Sequence, residues 1–132
     1  MPYVDKTVEN GQSSVISLVG DLGAGKSTLA RRLAYYLGIG EKLPSPTFLL
    51  MKEYVISPAK WGKSRFVHVD AYRVKDSSEL VSLGFLEIME DAQALIVIEW
   101  ADRIKDIIPK HALWLQMRAV SEKEREVERA SI

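Results

Sequence analysis

The sequence has no cysteine and only two histidines, His68 and His111. Disulfides, thiolate-held zinc, iron–sulfur clusters and thiol nucleophiles are excluded, and so is a metal centre built from several histidines. A surplus of charge is missing too, since 18 Lys+Arg balance 18 Asp+Glu. Such a chain has no overall field to draw it to DNA, to RNA or to an anionic bilayer, although a local basic patch remains open. Long apolar runs are absent. The longest, residues 94–98, is far short of the roughly 20 residues that a spanning helix requires, and no leader segment is visible. The expectation is a cytoplasmic protein with no membrane partner.

What is present is an ordinary globular composition, 47% hydrophobic and 27% charged over 132 residues. That length suits one domain burying roughly 65–70% of its unfolded surface. No repeat, low-complexity stretch or linker divides it, so residues 1–132 read as a single domain. Residues 15–19 read as a buried strand stopped by Gly20. Residues 26–37 read as a helix whose apolar stripe is Leu29, Leu33, Tyr36 and Leu37, with Gly38 as its stop. Residues 43–47 carry two prolines and read as loop. Residues 48–56 and 65–70 read as strands joined by a loop. Asp76 and Glu79 resemble a capping box, opening a helix that carries Leu80, Leu83, Leu86 and Ile88 towards Met89, with Gly84 weakening its middle. Residues 94–99 and 112–117 read as further strands, with a helical turn over 101–108 between them. Residues 121–132 fit a solvated helix, a tail or an edge strand. The order implies an α/β fold with three layers.

The strongest chemical signal is Gly20-Asp21-Leu22-Gly23-Ala24-Gly25-Lys26-Ser27, which fits the P-loop pattern G-x-x-x-x-G-K-[ST] at every fixed position. A strand precedes it and an amphipathic helix follows. Backbone N–H groups of such a loop turn inward around phosphate oxygens, and the helix aims its positive end at the same anion. The candidate phosphate-binding residues are Asp21, Leu22, Gly23, Ala24, Gly25, Lys26, Ser27 and Thr28. Lys26 neutralises β- and γ-phosphate oxygens, and the Ser27 hydroxyl is a hard ligand for Mg²⁺. A strand-end acid is then needed, and there are two candidates, Glu99 and Asp70. A carboxylate at Glu99 can orient or deprotonate a water, which favours hydrolysis over simple binding. Thr47, in the proline-bracketed loop, is a candidate γ-phosphate sensor. His68 reads as a structural histidine, Trp100 as packing, and Lys60, Lys63 and Arg65 around Trp61 as a solvated loop. A GTPase is disfavoured, because Asn10 is the only asparagine and lies upstream of the P-loop.

The P-loop with Thr28, Ser45-Pro46-Thr47-Phe48, His68-Val69-Asp70-Ala71-Tyr72-Arg73, Glu79-Leu80, Leu83-Gly84-Phe85 and Ile98-Glu99-Trp100 occur in this order. Together they resemble the TsaE family of bacterial ATPases, which take part in tRNA threonylcarbamoyladenosine synthesis. The resemblance covers about residues 18–117. It implies a P-loop NTPase-like domain with a mainly parallel central sheet and antiparallel additions. It implies ATP and Mg²⁺ as cofactors, with Lys26 on phosphate and with Ser27 and Glu99 on the metal. Asp70 and Thr47 would complete the metal and switch site, and Trp100 would lie near the nucleotide. By the same resemblance the partners are TsaD and TsaB homologues, and tRNA is met only through them. The family also carries an N-terminal strand and helix covering the nucleotide base. Residues 1–14 are too few for both, so that element is expected to be shortened or missing. Residues 121–132 would be the return strand of a hairpin. The alternatives are a small-molecule kinase, for which 132 residues leave little lid, and a nucleotide-gated binding module with incidental turnover.

Overall fold

Two segments, β1 (Ser14–Val19) and β4 (Ala94–Glu99), are buried at every position. That is the pattern of strands covered on both faces. They pair in parallel at the centre of a six-stranded sheet of order β2-β3-β4-β1-β5-β6. The other strands are β2 (Met51–Val55), β3 (Arg65–Asp70), β5 (Leu113–Ala119) and β6 (Arg125–Arg129). β3 and β5 extend the parallel core, while β2 and β6 close its edges antiparallel. The computed structural model describes residues 13–21, 23–39, 50–57 and 62–130. The expected loop at 43–47 and the N-terminal residues 1–12 lie outside them. No helix among the described residues is long and apolar enough to cross a membrane.

Side chains alternate along each strand, which divides the core into two clusters. On one face Ile16, Leu18, Phe66, Leu95 and Leu115 meet α1 (Lys26–Tyr36). On the other, Val15, Val67, Ile96 and Ile98 meet Leu80, Phe85 and Ile104. These come from α2 (Ser78–Val81), α3 (Phe85–Met89) and the 3₁₀ helix Ala101–Ile107. Each fully buried Leu, Ile or Phe contributes roughly 1.5–3 kcal/mol of transfer free energy. Three layers result.

The structure corrects some expectations. α1 buries Lys26, Ala30, Leu33 and Ala34, and Leu37 just past its end is buried too, whereas Tyr36 is 49% exposed and Leu29 only half-buried. The small alanines let the helix lie close to the sheet, which rotates its buried face away from Tyr36. The helix expected after Asp76 is two short helices. Gly84, at φ +87°, breaks it in a left-handed conformation that other residues adopt only under strain. Leu80, Phe85, Ile88 and Met89 are buried, but Leu83 and Leu86 stay exposed. The capping box is shifted as well. Asp76 accepts the Ser78 N–H at 2.9 Å, while Glu79 accepts the Lys75 N–H at 3.0 Å instead of that of Asp76. Lys63, expected to be solvated, is buried and donates to the Ala92 carbonyl at 2.6 Å. Arg65 pairs with Asp91 and Glu53; Lys60 and Trp61 lie outside the described residues. Within the ambiguous segment 121–132, Arg125–Arg129 form an edge strand, with Glu126 paired across the ladder with Arg118.

Candidate active site

β1 leaves the sheet centre at Gly20, and the chain enters α1 six residues later. At Gly20, with φ +150°, a Cβ would lie 2.3 Å from the Met117 carbonyl oxygen. The β5 backbone passes too close for any side chain, so glycine is required there. The Ala24 N–H donates to the Asp21 carbonyl at 3.0 Å, and the Leu29 N–H to that of Gly25 at 2.9 Å. Gly25 caps α1 with no side-chain hydrogen bond. The first N–H groups of the helix therefore face the loop, where the helix dipole favours an anion.

Lys26 is buried inside this loop. Its Nζ donates to the carbonyls of Gly20 at 2.6 Å and Asp21 at 2.8 Å, and lies 4.0 Å from the centroid of the Trp100 ring. Burial pushes the ammonium below its ordinary range, against the opposing charges of Glu99, Asp102, Asp21 and Asp70. A desolvated cation at the mouth of a P-loop is suited to take phosphate oxygens.

Glu99 ends β4 almost fully buried. Ser27 Oγ donates to its Oε1 at 2.6 Å, and His68 Nε2 lies 2.5 Å from its Oε2. Burial works to raise this carboxyl, but the hydrogen bonds from His68 and Ser27 and the charge of Lys26 outweigh it, leaving it lowered. Asp70 stands opposite Glu99 in the ladder. Burial lifts its carboxyl above the ordinary value, and the charge of Glu99 adds to that, despite the Tyr72 N–H at 3.0 Å and the charge of Lys26.

Trp100 follows at φ +57°, the one described non-glycine residue in the left-handed region. Such backbone costs about 1–3 kcal/mol and tends to occur at working sites. Here it swings the indole over Lys26 and against Tyr72, ring centroids 4.9 Å apart. The Arg103 guanidinium lies 5.2 Å from the Tyr72 ring and 5.7 Å from that of Trp100.

Lys26, Glu99 and Trp100 border an open cleft of about 700 Å³. Its walls bring together Gly23, Gly25, Lys26, Ser27, Thr28, Glu99 and Trp100. Asp70 reaches the group through the strand ladder and not through the cleft wall. Asp21 contributes its carbonyl, and Ala24 turns into the core. Leu22 and Thr47 lie outside the described residues. Arg32, Lys123 and Arg125 on the cleft wall were not anticipated. Arg125 Nε donates to the Gly23 carbonyl at 3.0 Å, a contact that depends on β6 folding back. The bond from His68 was missed as well. Its signal is the two-residue spacing to Asp70, which puts both side chains on one face of β3.

Comparison with known proteins shows the family. Residues 3–127 match the family described as "Threonylcarbamoyl adenosine biosynthesis protein TsaE". The tRNA threonylcarbamoyladenosine biosynthesis protein TsaE of Bacillus subtilis (strain 168) is 37% identical over 113 residues, 86% of this chain. The match spans 66% of that relative's length. The protein of the same name from Treponema pallidum (strain Nichols) is 32% identical over 124 residues, 94% of this chain and 85% of the relative. The crystal structure of Bacillus subtilis YdiB matches with a TM-score of 0.59 and 27% identity, covering 96% of this chain and 74% of that one.

Proposed function

The chain belongs to the TsaE family, and from that premise we propose that it binds and hydrolyses ATP with Mg²⁺. It does so as an accessory protein for threonylcarbamoylation of the tRNA adenosine beside the anticodon. The observation that carries this reading is the Ser27–Glu99 contact at 2.6 Å, set beside the buried ammonium of Lys26. The residues fit the cofactors. Ser27 Oγ, the Glu99 carboxylate and the neighbouring Asp70 are hard oxygen donors of the kind Mg²⁺ takes, together with phosphate and water.

In this reading the backbone N–H groups at the start of α1, residues 25–28, cradle the phosphates. Lys26 exchanges its bonds to the Gly20 and Asp21 carbonyls for phosphate oxygens. Ser27 and Glu99 would hold the metal with Asp70 beside them, and Trp100 would lie near the nucleotide. Bound Mg²⁺ supplies neutralising charge on the phosphate oxygens. A carboxylate held ionised at Glu99 also suits the orienting of an attacking water. Thr47 is assigned the γ-phosphate sensor from its proline-bracketed loop and from the resemblance.

The partners proposed are TsaD and TsaB homologues in the cytoplasm, with tRNA reached through them. The isolated chain should be a poor ATPase, below about 1 s⁻¹, the low end of common turnover. P-loop hydrolases lacking an added arginine or ordering partner lose factors of about 10³–10⁵. The test titrates the TsaD–TsaB pair into a steady-state phosphate-release assay and measures docking with an ATP analogue, with ADP and with no nucleotide. Turnover should rise, and docking should favour the ATP state. Unchanged turnover with nucleotide-blind docking would overturn the assignment and favour a stand-alone kinase.

A further inference from the structure

We infer that His68 is a positioning residue for Glu99, holding the carboxylate so that Oε1 is presented to Ser27. The inference rests on the nucleotide site proposed above and adds a residue which that site did not contain. His68 is 2% exposed and sits in β3, one strand away from Glu99. Its Nε2 meets Glu99 Oε2 at 2.5 Å. The other ring nitrogen, Nδ1, is buried and has no hydrogen-bond partner among the described residues.

That orphan nitrogen decides the tautomer. A proton on Nδ1 would be a buried donor with nothing to receive it, while Nε2 would be left as a bare lone pair facing a carboxylate oxygen. Nε2 therefore carries a proton, and His68 is a fixed donor to Oε2. The two oxygens of Glu99 are then divided, Oε2 to His68 and Oε1 to Ser27. The terminal carboxylate torsion is intrinsically broad, so two donors from opposite sides are what fix its plane. As filler for the core, an imidazole with a stranded nitrogen is inferior to Leu or Phe. What it adds is one donor aimed at one oxygen. Partners of this kind, one bond removed from a metal ligand, typically alter metal affinity or activity by roughly 10- to 100-fold.

The test compares the wild type with His68→Leu and His68→Gln. ATP affinity is measured calorimetrically with and without Mg²⁺, and folding is checked by circular dichroism and melting. Metal-free affinity should be alike in all three. The gain in affinity on adding Mg²⁺ should fall roughly 10- to 100-fold in His68→Leu and return in His68→Gln, whose amide N–H can donate to Oε2. Imidazole nitrogen-15 shifts of the wild type give a second readout that does not depend on either variant folding. They should show a protonated Nε2. An Nε2 that carries no proton, an undiminished Mg²⁺ gain in His68→Leu, or equal losses in folded Leu and Gln variants would overturn the positioning role. A wild type that binds ATP with no Mg²⁺ gain at all would instead overturn the proposed site, and the inference with it.

Discussion

Asp70 and Glu99 lie opposite one another at the carboxyl ends of adjacent parallel strands, yet their carboxyls are driven in opposite directions. Both are desolvated. Glu99 receives hydrogen bonds from His68 and Ser27 and ends below its ordinary value, whereas Asp70 has a single backbone N–H and ends above. Two neighbouring acids pushed apart in this way can divide their labour, one ionised and one reluctant to ionise.

The first expected consequence concerns turnover. Glu99→Gln should retain nucleotide but lose a factor of about 10²–10⁴ in hydrolysis, the usual worth of a positioned acid or base. The amide keeps the shape while being a poor metal ligand and no base. Asp70→Asn should lose less. Phosphate release beside fluorescent-nucleotide binding checks both. Normal turnover in Glu99→Gln with a dead Asp70→Asn would exchange their roles.

The two acids should also differ in stability against pH, measured without nucleotide and with the metal chelated. Glu99 is depressed, so its contribution is present above the unfolded carboxylate value and lost as pH falls through the folded one. Asp70 is raised, so its contribution is present below the unfolded value and lost as pH rises through the folded one. At pH 7 its ionised form burdens the fold. Asp70→Asn should therefore melt above the wild type at pH 7, with an advantage that shrinks towards acid, and Glu99→Gln should melt below. Each kcal/mol corresponds to roughly 3–5 °C for a domain of this size. Calorimetric scans from neutral to acid pH decide it, and an Asp70→Asn protein that melts lower at pH 7 would refute the assignment.

Trp100 offers an optical readout. Lys26 Nζ rests 4.0 Å from its ring centroid, a contact worth up to about 2 kcal/mol when desolvated. Phosphate binding should draw the ammonium off the ring and change the emission of Trp100. The change should vanish in Trp100→Phe, leaving Trp61 and Trp114 as background. A nucleotide response that survives Trp100→Phe would place the reporter elsewhere.

The legible parts of the molecule were those written in local pattern. β3 and β4 follow from apolar runs ending in acids, and Lys26, Ser27 and Glu99 from a motif with its strand and helix context. Illegible parts needed distant segments brought together. Nothing near Arg125 announces a bond to the carbonyl of Gly23, because the contact requires β6 to pair with β5. The burial of Ala30 in place of Tyr36 depends on how closely α1 meets the sheet. His68 reads as a structural histidine, but its partner lies on another strand. The alternating charges of residues 125–129 suit an edge strand as well as a solvated helix, and only pairing with β5 decides between them.

The most direct measurement is ATP binding to the wild type and to Lys26→Ala, followed calorimetrically with circular dichroism to verify folding. Lys26 supplies the cation that meets phosphate, and its two bonds to the carbonyls of Gly20 and Asp21 are local to the loop. The wild type should bind saturably and more tightly with Mg²⁺, and a folded Lys26→Ala protein should not bind detectably. Undiminished binding or hydrolysis by folded Lys26→Ala would contradict a phosphate-binding loop at residues 20–27.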